Sequence, residues 1–269
     1  MNRRLPESLR RGLHAAGQRL LHAARARYWR GFGVHSPFVY HLVRHIITAP
    51  PDDAELMQRA RRYRAELLRD TSTLRLTDLG TGTTGRTVTV SRIARRAAVG
   101  EKYGLMLARL VKEFQPDNIL ELGTSLGMST FYISAALPTS HVCTIEGSPE
   151  CAAVARRMFH KYNLRNVELI VADFDDVIDT LLRRHQPAMV YIDGNHTEAA
   201  TLRYVGRCLD MLPPLTIIVL DDIHWSPGMT RAWRTIVRDP RVQTTLETSH
   251  AGLAILRRGC PKQHYRLRW

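Results

Sequence analysis

The chain has 269 residues, 44% of them hydrophobic, and a formal net charge of +14. That much apolar material can bury the core of one α/β domain with an extension, which excludes a disordered chain. The cysteines at 143, 151, 208 and 260 form no C-x-x-C pair and no metal-ligand spacing, and no apolar run reaches the ~20 residues of a bilayer span, so buried thiols and a cytoplasmic location are expected.

Arginine supplies the charge, in clusters at Arg3-Arg4, Arg10-Arg11, Arg25 to Arg30, Arg59 to Arg64 and Arg92 to Arg96. Such a field attracts nucleic acid, acidic lipid or a phosphorylated substrate. No aromatic-interleaved binding motif accompanies it, so it reads as a solvated face, with nucleic acid kept as an alternative partner.

Residues 5 to 28 repeat Leu5, Leu9, Leu13, Leu20, Ala24 and Tyr28 at helical spacing, opposite an arginine-rich face. A helix docked on the chain's own domain is expected; a helix lying on a membrane surface and a transit peptide share the pattern. Ser36 then Pro37 predict a capped helix start, running to about Ile47, and His35 before it reads as a structural hydrogen-bonding residue. A charged helix follows at 52–69. The segment L-T-D-L-G-T-G-T-T-G at 76–85 looks like a nucleotide turn, but no strand ending in an acid follows at the right distance. It is assigned to a loop flanking the pocket, ahead of helices at 88–98 and 104–114. Residues 1–98 are thus expected to form a helical, arginine-rich extension and 99–269 the main domain.

The stretch I-L-E-L-G-T-S-L-G-M-S-T at 119–130 organises that domain. Ile119, Leu120 and Leu122 make a buried strand, Gly123 and Gly127 bracket a tight turn, and the polar residues beyond open a helix. A glycine turn at a helix N-terminus offers unpaired N–H donors to a nucleoside-bearing ligand. The spacing is G-x-x-x-G, not the G-x-G-x-x-G of a dinucleotide site. Four further strands end in polar residues: 141–145 in Glu146-Gly147, 167–171 in Asp173-Phe174, 189–192 in Asp193-Gly194-Asn195-His196, and 216–220 in Asp221-Asp222. Open α/β sheets bind ligands at such carboxyl ends. Glu146 suits ribose hydroxyls, and Asp173 with Phe174 suits the amine and face of adenine. A helix at 229–237 and two strands, 242–247 and 252–257, predict a closing antiparallel hairpin at the sheet edge. The basic, aromatic tail at 263–269 is expected to close over the domain.

From Val99 the run V-G-E-K-Y-G, the Gln115-Pro116 pair and the I-L-E-L-G strand resemble catechol and caffeoyl-coenzyme A O-methyltransferases, class I S-adenosylmethionine-dependent enzymes. H-S-P-F-V-Y, Y-I-D-G-N-H and L-D-D-I-H-W resemble a bacterial branch of that superfamily. The resemblance implies a Rossmann-like α/β fold, a mostly parallel sheet ending in an antiparallel hairpin, and S-adenosyl-L-methionine as cofactor. It places Glu121, Gly123, Thr124, Ser125 and Ser129 around the methionine part, with Gly127, Gly147 and Asp193 completing the cofactor set. It further implies a divalent metal, usually magnesium, on Asp193, Asp221 and Asp222, with Asp222 where the family has Asn. His196 stands where the family has its catalytic lysine, so His196 with Asp193 forms the catalytic pair; the alternative is that His196 caps the following helix. His224 and Trp225 are expected to line the acceptor pocket.

The function expected is metal-assisted O-methylation of a small-molecule hydroxyl. RNA methylation through the basic N-terminal region and a non-catalytic cofactor-binding adaptor are the alternatives, and a homodimer is compatible with the sequence.

Overall fold

The computed structural model describes residues 7–77, 84–257 and 259–269. In chain order the elements are α1 (Glu7–Arg25), β1 (Tyr28–Trp29), α2 (Pro37–His41) running into a π-helical turn (Leu42–Ile47), α3 (Ala54–Arg69), β2 (Thr73–Thr77), β3 (Thr84–Thr89), α4 (Val90–Ala97), α5 (Glu101–Phe114), β4 (Asn118–Leu122) and α6 (Met128–Ala136). They continue with β5 (His141–Glu146), α7 (Pro149–Lys161), β6 (Val167–Val171), α8 (Phe174–His185), β7 (Met189–Ile192), α9 (Glu198–Met211), β8 (Ile217–Leu220), α10 (Pro227–Arg238), β9 (Thr244–Glu247), β10 (Gly252–Ile255) and β11 (Gln263–Arg268). Two compact units result, one of residues up to 48 with 195–269, the other of residues 49–194.

The unit of residues 49–194 is built on four parallel strands in the order β7-β4-β5-β6. Both faces are covered, as the sheet of an α/β unit requires: Leu120, Leu122, Cys143, Ile145 and Val190 are buried on one face, and Ile119, Val142 and Met189 on the other, beside the polar Glu121 and Thr144. Helix α5 stops at Gln115, which takes a left-handed φ of +46° ahead of Pro116. Gly104 lets α6 pack against α5 at close range, because a Cβ there would lie 2.2 Å from the Tyr132 ring. Helix α3 joins the same core: buried Tyr63 stacks at 5.1 Å on Phe131 and 4.9 Å on Tyr162, and its hydroxyl donates to the Leu126 carbonyl at 2.9 Å. The break expected between residues 98 and 99 therefore falls inside this unit.

The expectation of an all-helical extension fails at β2 and β3, which pair antiparallel from Thr73↔Thr89 and Leu74↔Val88. The run Thr87-Val88-Thr89 is β-branched, which stiffens χ1 and favours a strand, so the following helix starts at Val90 with Thr89 as its cap. The expected loop at 76–85 is in part these two strands, and its central glycine-rich residues, 78–83, lie outside the described residues. Of the arginines expected on a solvated face, Arg61 is 64% exposed and pairs with Glu101 at 2.6 Å.

In the other unit the strand order is β1-β11-β9-β10-β8. The expected hairpin is present, β9 and β10 pairing antiparallel from Glu247↔Gly252, and β10 also runs antiparallel to β8. It is not at the edge. The tail forms β11, parallel to β9, and Tyr28–Trp29 adds a short parallel strand outside it. Gly252 admits the Trp233 ring, which a Cβ would meet at 2.5 Å. Ser36 caps α2 as expected, its Oγ accepting from the Val39 amide at 3.4 Å. Helix α1 departs from expectation: Leu13 and Leu20 are 59% and 75% exposed, while His22 is buried. No described helix is long and apolar enough to cross a membrane.

Candidate functional site

The turn after β4 is held by its own backbone. The Gly123 and Thr124 amides both donate to the Ile145 carbonyl, at 3.0 and 3.1 Å, and the Gly127 amide donates to Thr124 at 2.8 Å. Gly123 sits at φ +107°, and a Cβ there would lie 2.2 Å from the Asp193 carbonyl oxygen, so glycine is required by the neighbouring strand end. Gly127, at φ +78°, meets a different demand: its missing Cβ makes room for the Phe159 ring at 2.3 Å and the Tyr63 hydroxyl at 2.8 Å. Its place in the turn is thus explained by packing.

Glu121 is fully buried, and its Oε2 accepts from the hydroxyls of Thr130 at 2.5 Å and Thr144 at 2.6 Å. Oε1 has no aligned donor among the described residues, although the Ser129 hydroxyl lies near the carboxyl. Burial raises the Glu121 pKa to about 7, with the charge of Asp193 adding to it and the hydroxyls opposing. Thr144 faces Glu121 in the parallel register. Thr124 is buried too, its hydroxyl 2.6 Å from that of Thr144.

At the tip of β5 the carboxylate of Glu146 bridges two chain segments. Oε2 accepts from the Ser125 amide at 2.7 Å and Oε1 from the Ser148 amide at 2.8 Å. Ser125 reaches it from a left-handed φ of +49°. Gly147 forms the bend between Glu146 and the Ser148 cap of α7. Asp173 caps α8, accepting from the Asp175 amide at 2.9 Å, and the Phe174 ring fills the space left by Gly194, 2.7 Å from where a Cβ would stand. Asp193 follows β7, its amide bonded to Leu122 and its Oδ2 accepting from the Tyr191 hydroxyl at 3.1 Å. Gly123, Thr124, Ser125, Met128, Ser129 and Asp193 line one narrow cleft. Of the expected cofactor residues this cleft gathers Gly123, Thr124, Ser125, Ser129 and Asp193.

In the unit that includes residues 195–269, His196 is half-buried and precedes α9. It is not the helix cap: Thr197 is, its Oγ1 accepting from Ala200 at 3.3 Å. Asp221 Oδ1 accepts from the Asp222 amide at 2.9 Å, and Asp222 is left-handed at φ +51°. His250 joins the pair, its Nε2 4.0 Å from Asp221 and 3.6 Å from Asp222. One ligand atom from each of the three lies within 4.8 Å of the others. No spacing along the chain singles out His250, which sits in the β9–β10 turn. His224, expected beside an acceptor, is instead buried against Glu247, and Trp225 is 43% exposed.

Residues 120–223 match the family described as a methyltransferase domain. The chain is similar to human transmembrane O-methyltransferase, 39% identical over 99 residues, which cover 36% of this chain and 34% of that one. It is also similar to bovine catechol O-methyltransferase, 33% identical over 100 residues, 35% of this chain and 37% of the other. It thus spans little more than a third of these curated relatives' length. Among solved structures, the O-methyltransferase from Bacillus cereus in complex with SAH aligns over 78% of this chain and 94% of its own, with a TM-score of 0.57 and 22% identity.

Proposed function

We propose that this chain, which carries a methyltransferase domain over residues 120–223 on a Rossmann-like class I fold, transfers a methyl group from S-adenosylmethionine to a hydroxyl oxygen of a small molecule, assisted by a divalent metal. The observation that carries this reading is where the match begins and ends. It starts on β4 and stops just beyond Asp221-Asp222, so it takes in every strand tip at which the sequence places a ligand-binding residue.

In this reading Glu121, Gly123, Thr124, Ser125 and Ser129 surround the methionine part, Glu146 accepts from the ribose hydroxyls, and Asp173 with Phe174 meets the adenine. Glu146 suits that role because two backbone amides already fix its carboxylate, leaving further lone pairs for a ligand. Asp193, Asp221 and Asp222 would hold the metal, and two adjacent carboxylates are the oxygen donors a hard cation takes. His250 beside them adds a nitrogen and widens the choice to manganese or iron. Such a cation lowers the pKa of a bound hydroxyl. His196, free of the capping role, would take the hydroxyl proton. The sulfonium carbon is already electrophilic, so the chain's work is to align the acceptor and exclude water.

Calorimetric titration with S-adenosylmethionine and S-adenosylhomocysteine, with and without magnesium, tests the reading. Micromolar binding that falls at least ~10-fold, about 1.4 kcal/mol, in Glu146→Ala is expected. No binding of either compound under any of these conditions would overturn it.

A further inference from the structure

A second set of ligating side chains lies apart from the acidic pair, at His22, His224 and Glu247. Helix α1 carries His22, the segment after β8 carries His224, and β9 ends in Glu247; all three are more than nine-tenths buried. Each imidazole has one nitrogen engaged. His22 Nε2 lies 2.9 Å from the Leu267 carbonyl, which can only accept, so that nitrogen carries a proton. His224 Nδ1 lies 3.4 Å from the Thr230 hydroxyl. The other two nitrogens, His22 Nδ1 and His224 Nε2, are buried without an aligned hydrogen-bond partner among the described residues.

Both of these nitrogens face one carboxylate oxygen, Glu247 Oε1, at 3.4 and 3.5 Å. The opposite oxygen, Oε2, accepts from the Trp233 indole at 2.8 Å and faces His264 Nε2 at 3.3 Å. Burial alone would raise the Glu247 pKa, but the surrounding donors hold it well below the usual carboxylate range, so Glu247 is an anion. If His22 were neutral, its Nδ1 lone pair would point at that anion. A positive charge is therefore needed between them, as protons on the rings or as a cation.

Protons on the rings and a divalent ion can each supply that charge; geometry chooses between them. A ring N–H that served Glu247 would stand about 2.7–3.2 Å from its oxygen, and both nitrogens lie farther away, at 3.4 and 3.5 Å. Tetrahedral zinc, with bonds of about 2.0–2.1 Å to histidine and carboxylate, sets its ligand atoms about 3.4 Å apart. Both nitrogen–oxygen separations match that edge. The bonds from His22 Nε2 to Leu267 and from Trp233 to Glu247 are the outer contacts that orient metal ligands. Arg266, with Nε 3.3 Å from Oε1, limits the charge the site tolerates and favours a single ion.

We propose that His22, His224 and Glu247 bind one zinc-class divalent ion that fastens α1 to the end of β9. The fourth position faces a small cavity of about 30 Å³, lined by Gln18, Arg25 and Arg234 among others, with room for a water.

The test is metal content and coordination in the full chain, prepared without a polyhistidine tag. After dialysis, mass spectrometry should find about one zinc per chain, retained in the double variant Asp221→Ala with Asp222→Ala and reduced at least ~10-fold in His22→Gln. X-ray absorption at the zinc edge should show two imidazoles in a four-coordinate shell. Where His22→Gln misfolds by circular dichroism, the wild-type absorption spectrum alone decides. Failure of metal-free wild type to take up Zn2+ stoichiometrically, retention of zinc by folded His22→Gln, or a shell without imidazole would each overturn the proposal in favour of a protonated histidine network.

Discussion

Replacing Glu121 by glutamine should change how stability depends on pH more than any other single substitution near β4. Glu121 is fully buried with a pKa pushed from 4.5 to about 7, chiefly by desolvation. A carboxyl whose pKa is higher in the folded state binds its proton more tightly there. The folded protein is then favoured below pH 4.5 and loses that advantage as the pH rises to about 7. At about 1.4 kcal/mol per pKa unit the full loss is ~3 kcal/mol, of which ~2.5 kcal/mol falls between pH 5 and pH 8. Glutamine cannot ionise, and its carbonyl oxygen can keep the bonds from Thr130 and Thr144. Urea denaturation of both proteins at pH 5 and pH 8 measures the difference directly. Relative to wild type, Glu121→Gln should gain ~2.5 kcal/mol between the two pH values. A difference that stays constant within ~0.5 kcal/mol would show that Glu121 does not titrate in this range.

Gly123→Ala places a Cβ 2.2 Å from a backbone oxygen at φ +107°, where only glycine is at ease; a loss of ~3 kcal/mol or more is expected by urea denaturation. Trp233→Phe keeps most of the ring against Gly252 but removes the indole bond to buried Glu247. A loss of about 1.5–3 kcal/mol is expected, since the acceptor is charged. Thr197→Ala should cost ~1 kcal/mol through the lost cap of α9. Its thermal denaturation is a control that separates capping from any role of His196.

The parallel strands and the turn after β4 were legible because their signals are local: short apolar runs, each closed by glycine or an acid within a residue or two. Helix α5 and the cap at Ser36 were legible for the same reason. The β2–β3 pairing is not legible because the glycine-rich sequence at 76–85 resembles a nucleotide turn and the β-branched run Thr87-Val88-Thr89 leads directly into a helix. Sequence cannot show that Phe159 and Tyr63 occupy the space Gly127 leaves, a packing reason for glycine there that no spacing reveals. His22 and Glu247 lie 225 residues apart, and their meeting depends on β11 and β9 running side by side, which no spacing encodes. The same holds for His250 and the acidic pair. On α1 the leucine repeat is real as a pattern, but Leu13 and Leu20 are exposed, and among the described side chains of this helix the buried one is His22.

The carboxylate of Glu146 ties the Ser125 amide to the Ser148 amide. The turn after β4 and the entrance to α7 are therefore set when the chain folds, and a ligand arriving there finds them in place. The entropy of ordering those loops is lost at folding and not at association. If the proposed ribose contact holds, Glu146 is a scaffold residue as well as a ligand contact, and the affinity lost on removing it will exceed that of the hydrogen bonds it offers. Of all substitutions only proline deletes a backbone amide, which makes this clasp's hydrogen bonds tolerant of most changes at positions 125 and 148 and intolerant at 146.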